Sequence, residues 1–154
     1  MKETIEGRLK SLGVELPAAA APAANYLPYA RSGKLLFPAG QLPMKDGKLA
    51  AKGLLGRDLD VEAGKEAAKL CAINVLAQVK AELKDLEKIV GLVKITVYVA
   101  SAPGFTEQHL VANGASDFFA EALGGRGKHA RVAVGVAALP LDAAVEIEAI
   151  VETA

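Results

Sequence analysis

Residues 129–151 read HARVAVGVAALPLDAAVEIEAIV, and the alternation of side chains in this stretch decides the fold. Successive side chains of a β-strand point to opposite faces of a sheet, so every second residue shares a face. The first half carries Val132, Val134 and Val136 on one such face. The second half again has apolar residues at every second position, Val145, Ile147, Ala149 and Val151. A Leu-Pro-Leu-Asp break separates the two halves, and the stretch therefore predicts two β-strands.

A further strand and two helices are predicted upstream. Residues 93–99 alternate in the same way, with Val93, Ile95, Val97 and Val99 on one face. Asp60 is a candidate N-cap for a long helix through about Leu83, because a carboxylate there accepts free backbone N–H groups. Its apolar residues recur every three or four positions and form one stripe, Ala68, Cys71, Ala72, Val75, Leu76, Val79 and Leu83. A second helix is expected near 106–123.

The predicted order is strands, helix, strand, helix and two strands, which is typical of an α+β domain. We expect a mixed sheet that is covered by two helices on one face. The other face would combine apolar and polar side chains such as Thr96, Tyr98 and Glu146, and no remaining element is long enough to cover it. A half-apolar, uncovered face favours association between subunits.

Residues 1–24 are expected to form an N-terminal helix and connector, ahead of a main domain at 25–154. Residues 3–13 are predicted as a short amphipathic helix with apolar residues at spacings of four and three, namely Ile5, Leu9 and Leu12. An Ala/Pro stretch without periodicity follows at 17–24 and is interpreted as an extended connector.

Two turn-rich segments precede the long helix. Leu35–Phe37 lies between Gly33 and Gly40 and is predicted as a buried strand. Residues 44–57 contain Asp46-Gly47, a dipeptide typical of two-residue hairpin turns, and are predicted as a second hairpin and a loop.

Composition excludes several classes of function. Lysine plus arginine equals aspartate plus glutamate at 18 each, and no basic stripe is visible, so we expect no nucleic-acid partner. The one cysteine, Cys71, gives neither an intramolecular disulfide nor a metal cluster. The first residues lack the basic start and apolar run of a signal peptide, and no apolar stretch reaches the roughly 18 residues of a membrane span. We therefore expect a cytoplasmic protein.

The Gly-rich, basic run Gly124-Gly125-Arg126-Gly127-Lys128 could suggest a phosphate-binding loop. Such loops run from a strand into a helix N-terminus, whereas this run follows a helix and precedes a strand. We interpret it as a helix C-cap and turn.

Three charged or titratable residues in the two C-terminal strands could carry chemistry. Arg131 opens an apolar strand, and its planar fork of donors suits a carboxylate; a structural ion pair with Glu146 or Glu148 is the alternative. Glu146 could act as a general base in a partly dry cleft, or could simply be solvated. His129 should share a face with Arg131, where it could shuttle protons or fasten a loop.

Two motifs together resemble the reactive intermediate deaminase (RidA/YjgF, L-PSP endoribonuclease-like) family. One is the stretch from His129-Ala130-Arg131 through Leu139-Pro140 to Val145-Glu146-Ile147-Glu148-Ala149. The other, Gly33-x-Leu35-Leu36-Phe37-x-x-Gly40-Gln41-Leu42-Pro43, resembles the first-hairpin motif of that family. The resemblance runs from about residue 25 to 151.

The resemblance implies a chorismate-mutase-like α+β fold and a homotrimer, with an inner barrel and clefts between subunits. It also implies hydrolysis of reactive enamines and imines to 2-keto acids and ammonia, without a cofactor or metal. By position, Arg131 matches the arginine that grips the substrate carboxylate, and Glu146 matches the glutamate that positions water. The implied substrate-binding residues are Tyr26 from across the interface, Gly40 through its backbone, and Asn113 on the second helix. His129 is added as a candidate because it lies beside the arginine.

Three departures separate this chain from the family pattern. Ala133 stands where the family has a cleft cysteine, Ala39 where it has a serine or threonine, and His129 where proline is common. A non-catalytic or regulatory trimer that binds a small carboxylate therefore remains an alternative. A third possibility is an endoribonuclease or translation inhibitor, as some relatives are described, and the zero net charge argues against it.

Overall fold

The computed structural model of the protein describes residues 3–22 and 24–154. Its helices are α1 (Ile5–Ser11), α2 (Val61–Leu83) and α3 (Gln108–Leu123). Its strands are β1 (Tyr29–Ser32), β2 (Leu35–Pro38), β3 (Met44–Lys45), β4 (Lys48–Leu49), β5 (Ile89–Ala100), β6 (Ala130–Val136) and β7 (Val145–Thr153). Short 3₁₀ turns lie at Leu86–Lys88, Gly124–Gly127 and Pro140–Asp142. None of the helices in these described ranges is long and apolar enough to cross a membrane.

Five strands form one mixed sheet in the order β1-β2-β7-β5-β6. Only β5 and β6 run parallel, and the other neighbours are antiparallel. Helices α2 and α3 pack together and against the sheet, while β3 and β4 form a separate hairpin. The predicted α+β domain with a mixed sheet is confirmed.

The core lies between the helices and the sheet. All seven residues of the predicted α2 stripe are buried, and α2 packs against β7, whose Val145, Ile147 and Val151 are buried in the same core. Asp60 caps α2 as predicted, because its Oδ1 accepts the backbone N–H of Ala63 at 2.8 Å. The close approach of α2 and α3 requires glycine: a Cβ at Gly114 would collide with the backbone carbonyl of Lys65.

The predicted alternation of β5 is wrong at its start. Leu92 is buried, whereas Val93 is 42% exposed. The pairing with β7 shifts register between Leu92 and Lys94, and such a bulge turns the following side chains to the other face. Single-residue periodicity cannot reveal a bulge, so Val93 was wrongly predicted to share a face with Ile95.

The N-terminal helix packs into the same core. Ile5 and Leu9 are buried as predicted, but Leu12 is the C-cap and is 37% exposed, because the helix ends at Ser11. The backbone N–H of Ile5 donates to Oε2 of Glu87 at 2.7 Å, which ties the start of α1 to the turn before β5. The division at residues 24 and 25 stays a prediction; residues 1, 2 and 23, which it includes, lie outside the described part.

The first hairpin differs from the prediction in two ways. Strand β1 was not predicted, since three of its four residues are exposed and it shows no apolar alternation. Only Leu36 and Pro38 of β2 are buried, and Phe37 is 37% exposed on the opposite face. The second hairpin is confirmed, because Asp46 and Gly47 both adopt positive φ between β3 and β4.

A second bulge lies just after β2. Leu36 pairs with Val151, and Gln41 pairs with Ile147. Five residue steps therefore separate the two positions on one strand, against four on its partner. The extra residue places Gly40 beside the side chain of Glu146, with consequences for the site.

Candidate functional site

Arg131 lies on the edge strand β6 and points towards α3. It pairs with the buried Ile95 on β5, so both side chains leave the helix-covered face of the sheet. Its Nη1 donates to Oδ1 of Asn113 at 2.8 Å and to Oγ of Ser116 at 3.1 Å. Its Nη2 donates to the backbone carbonyl of His109 at 3.2 Å. Three contacts with one helix therefore hold the guanidinium.

The guanidinium keeps capacity for an anion. Arginine has five N–H donors, and helix α3 accepts from three of them. Within the described residues, Nε and one N–H of Nη2 have no protein acceptor, and no carboxylate forms an ion pair with Arg131. Two donors on neighbouring nitrogens suit a two-point contact with a carboxylate.

His129 and Arg131 share a partner, as their spacing predicted. The Nε2 of His129 lies 2.9 Å from Oγ of Ser116, and its Nδ1 lies 2.6 Å from the carbonyl oxygen of Gly127. A carbonyl only accepts, so Nδ1 carries the proton, and in the neutral ring Nε2 accepts from the serine hydroxyl. His129 thus fastens the 124–127 turn to α3, which was one of its two interpretations.

Glu146 lies on the other face of the sheet. It alternates with the fully buried Val145 and Ile147 and is itself half-buried. Burial, and secondarily repulsion from Glu148, raise the pKa of the Glu146 carboxyl above its ordinary value. A carboxylate with a raised pKa is a better base near neutral pH.

Gly40 forms one wall beside Glu146. A Cβ at Gly40 would stand 2.9 Å from Oε2 of Glu146, so the close approach depends on the missing side chain. The preceding residue, Ala39, donates its backbone N–H to the carbonyl of Pro28 at 2.9 Å. This contact brings the 26–28 segment, with the 52% exposed Tyr26, to the same end of the sheet.

The second glutamate of the strand has a different environment. Glu148 is exposed, and its Oε1 accepts the hydroxyl of Tyr98 at 2.9 Å. This hydrogen bond is the main cause of a raised pKa at Tyr98. Glu148 is therefore the solvated member of the pair, and Glu146 the desolvated one.

The structure groups the predicted residues into two sets. Arg131, Asn113 and His129 meet beneath α3, whereas Glu146 and Gly40 meet on the opposite face. Strand β5 separates β6 from β7, and Arg131 is level with Ile95 while Glu146 is level with Tyr98. Arg131 and Glu146 are therefore separated by roughly 10 Å across the sheet and by roughly 10 Å along the strands. The alternative of an ion pair between Arg131 and Glu146 or Glu148 within one chain is therefore wrong.

The remaining predicted features are structural. Gly124 has a φ of 62° and caps α3, and Arg126 of the Gly-rich run contacts Glu87 at 3.2 Å and the carbonyl of Ile89 at 3.4 Å. The cap-and-turn interpretation is confirmed. Cys71 is fully buried in the core, and burial raises its thiol pKa well above the ordinary value.

Sequence reasoning missed Ser116. A helical residue shares a face with those three and four positions away, so His109, Asn113 and Ser116 line one side of α3. That side was recognisable as polar, but its orientation towards Arg131 was not.

Among the described residues, no group of three or more His, Cys, Asp or Glu side chains could hold a metal ion.

Comparisons with known proteins found a matching family model and several similar proteins. A family model described as "YjgF/chorismate mutase-like, putative endoribonuclease" matches residues 6–152. Protein TCP17 of Trypanosoma cruzi is 50% identical over 149 residues, covering 96% of this chain and 93% of that protein. Atu1372 from Agrobacterium tumefaciens, a structure of unknown function, is similar with a TM-score of 0.92 at 58% identity, covering 97% and 92% of the chains. E. coli TdcF with bound serine is similar with a TM-score of 0.61 at 28% identity, covering 90% and 93%.

Proposed function

Because the chain belongs to the YjgF/chorismate-mutase-like family, we propose that it is an enamine and imine deaminase. It hydrolyses reactive 2-imino acids to 2-keto acids and ammonia. Arg131 binds the substrate carboxylate, and Glu146 orients the attacking water. No cofactor is part of this proposal.

The state of Arg131 is the observation that carries the proposal. Its side chain is held by three acceptors of α3, none of which is a carboxylate, and two donors are left, on Nε and Nη2. A structural arginine is normally neutralised by an acidic partner, whereas this one keeps its full charge for an anion. Because the fork is held before a ligand arrives, little side-chain entropy is lost on binding.

The reaction needs few protein groups. Water adds to the carbon of the C=N bond, the nitrogen takes up protons and leaves as ammonia, and the carbonyl of the keto acid remains. The protein has to fix the carboxylate, hold one water against that carbon and accept one proton from it. Glu146 suits the last task, because burial raises the pKa of its carboxyl.

A site that uses both residues requires a second copy of the chain. Arg131 and Glu146 lie on opposite faces of one sheet, so we propose a homotrimer in which Arg131 of one subunit faces Glu146 of the next. The exposed valines Val132 and Val134 on the uncovered face, together with the edge position of β6, support this assembly. Tyr26 and the backbone of Gly40 would complete the cleft from the neighbouring subunit.

A non-catalytic carboxylate-binding trimer is the second candidate. Ala39 and Ala133 supply neither hydroxyl nor thiol, and Ala133 packs against the core, so two polar groups of the family cleft are missing here. The serine bound in TdcF supports a small amino-acid-like ligand, whether or not turnover follows. Ribonuclease activity has no such support, since the chain has no excess of positive charge.

Keto-acid release from short 2-imino acids, generated in situ by an amino-acid oxidase, tests the proposal. We expect acceleration by the protein, and loss of it in Arg131→Ala and Glu146→Gln. Glu152→Gln is the matched control, because Glu152 lies on the same strand and face and should leave the rate unchanged. Binding of 2-oxobutanoate without acceleration of any imino acid would favour the non-catalytic candidate. Absence of both would contradict the whole proposal.

A further inference from the structure

We propose that Ser116 and His129 are positioning residues, which fix the orientation of the Arg131 guanidinium for its carboxylate ligand. This inference rests on the proposed function, because it takes Arg131 to be the carboxylate-binding group. It adds two residues that hold the arginine without touching the ligand themselves.

The hydrogen bonds form a chain with one direction. Arg131 Nη1 donates to Oγ of Ser116, and Nδ1 of His129 donates to the carbonyl of Gly127. With the imidazole neutral, its Nε2 accepts from the Ser116 hydroxyl. Each donor hydrogen has one acceptor, so the hydroxyl cannot rotate without losing a bond. Since Asn113 accepts the other hydrogen of Nη1, this nitrogen is saturated and the plane of the guanidinium is set.

The far end of the chain is anchored in the core. The His129 ring packs edge-on against fully buried Phe119, with centroids 6.2 Å apart and planes at 73°. The backbone of Gly127 lies so close to Phe119 that a Cβ at Gly127 would collide with the Phe119 carbonyl. The position of the imidazole is therefore set by α3 and the following turn. The imidazole in turn fixes the orientation of the Ser116 hydroxyl through their hydrogen bond.

The arrangement assigns Ser116 a holding role rather than a nucleophilic one. A hydroxyl paired with an imidazole is the geometry of an activated nucleophile. Here the oxygen also accepts the Arg131 N–H at 3.1 Å, which occupies an attacking lone pair. Because Ser116 lies within α3, its hydroxyl is a fixed link between Arg131 on β6 and His129.

Two variant pairs test the inference by calorimetric binding of 2-oxobutanoate. Ser116→Ala and His129→Leu break the chain, and we expect the Kd to rise about five- to tenfold, as for loss of one ordinary hydrogen bond. Ser116→Thr keeps the hydroxyl and His129→Gln keeps an acceptor near the Nε2 position, so each should recover most of the affinity. Ser11→Ala, at the exposed end of α1, is the control and should bind as the unaltered protein does.

A measurement without ligand separates this inference from the proposed function. We expect nitrogen NMR to show slow rotation of the Arg131 guanidinium in the unaltered protein, and faster rotation in Ser116→Ala and His129→Leu. Unchanged rotation in both variants overturns the positioning role, whatever the affinities are. Altered rotation in a protein that does not bind 2-oxobutanoate supports the positioning role and contradicts carboxylate binding by Arg131. Equal loss of affinity in the conservative variants, with intact folds, also counts against the chain of hydrogen bonds.

Discussion

Gly114→Ala should destabilise the protein and weaken its carboxylate site together. The new Cβ would overlap the Lys65 carbonyl oxygen and would stand 2.7 Å from the carbonyl carbon and Cα of Lys65. Since ordinary van der Waals contact begins at 3.4 Å, α2 and α3 would have to separate by about 0.7 Å or more. Because the clash is with backbone, which cannot rotate away, the overpacking cost should lie at the upper end of the usual range, about 3 kcal/mol, and about 1 kcal/mol is offset by the better helix propensity of alanine.

The net loss should be about 2 kcal/mol in the free energy of unfolding, measured by urea denaturation at one protein concentration. For a chain of this length it corresponds to a fall in Tm of about 4–8 °C. Because Asn113 and Ser116 move with α3, the affinity for 2-oxobutanoate should also fall. Gly125→Ala is the matched control, since nothing lies within 4 Å of its Cβ and its φ is not positive. Equal stability of the two variants would refute the backbone-contact argument.

Four further predictions concern the other face and the helix cap. Glu146→Gln should raise Tm at pH 7. Folding raises the pKa of the Glu146 carboxyl, so the stability of the unaltered protein falls as the pH rises through that pKa. The gain in Tm should therefore vanish well below the ordinary Glu pKa, where the carboxyl is protonated in both states. Because a general base must be deprotonated, the rate should rise as the pH passes through the raised pKa of Glu146. A flat pH profile of the rate would contradict Glu146 as the base. Gly40→Ala should lower the rate but leave Tm nearly unchanged, because its Cβ meets only the movable end of Glu146. Asp60→Ala should cost about 1 kcal/mol in denaturation, since it removes the N-cap bond to Ala63, and an unaltered midpoint would count against it.

The layered fold could be predicted because its elements are long and regular. The stripe of α2 and the alternation of β7 extend over many residues, so local errors did not change the assignment. The edge strand β1 could not be predicted, because an exposed strand needs no apolar alternation. Val93 was misplaced for a different reason: a bulge shifts the pattern by one residue, and no residue type marks it.

The candidate site was predictable residue by residue but not as an arrangement. Strand periodicity correctly placed His129 and Arg131 on one face and Glu146 opposite Val145. The order of strands was not available from periodicity, and that order puts β5 between Arg131 and Glu146. Sequence reasoning also considered their ion pair, which requires strands that are neighbours.

The bulge after β2 changes which residues of the chain face the core. In a regular strand, residues an odd number of steps apart face opposite ways, yet Leu36 and Gln41 both pair with core-facing residues of β7. In β2 the even-numbered residues face the core, whereas at Gln41, beyond Gly40, an odd-numbered residue does. Removal of one residue between Leu36 and Gln41 would give four steps on each strand, so both residues would still face the core, but the bulge beside Glu146 would be lost. The extra residue is therefore required by the approach of Gly40 to Glu146 and not by the packing of the core.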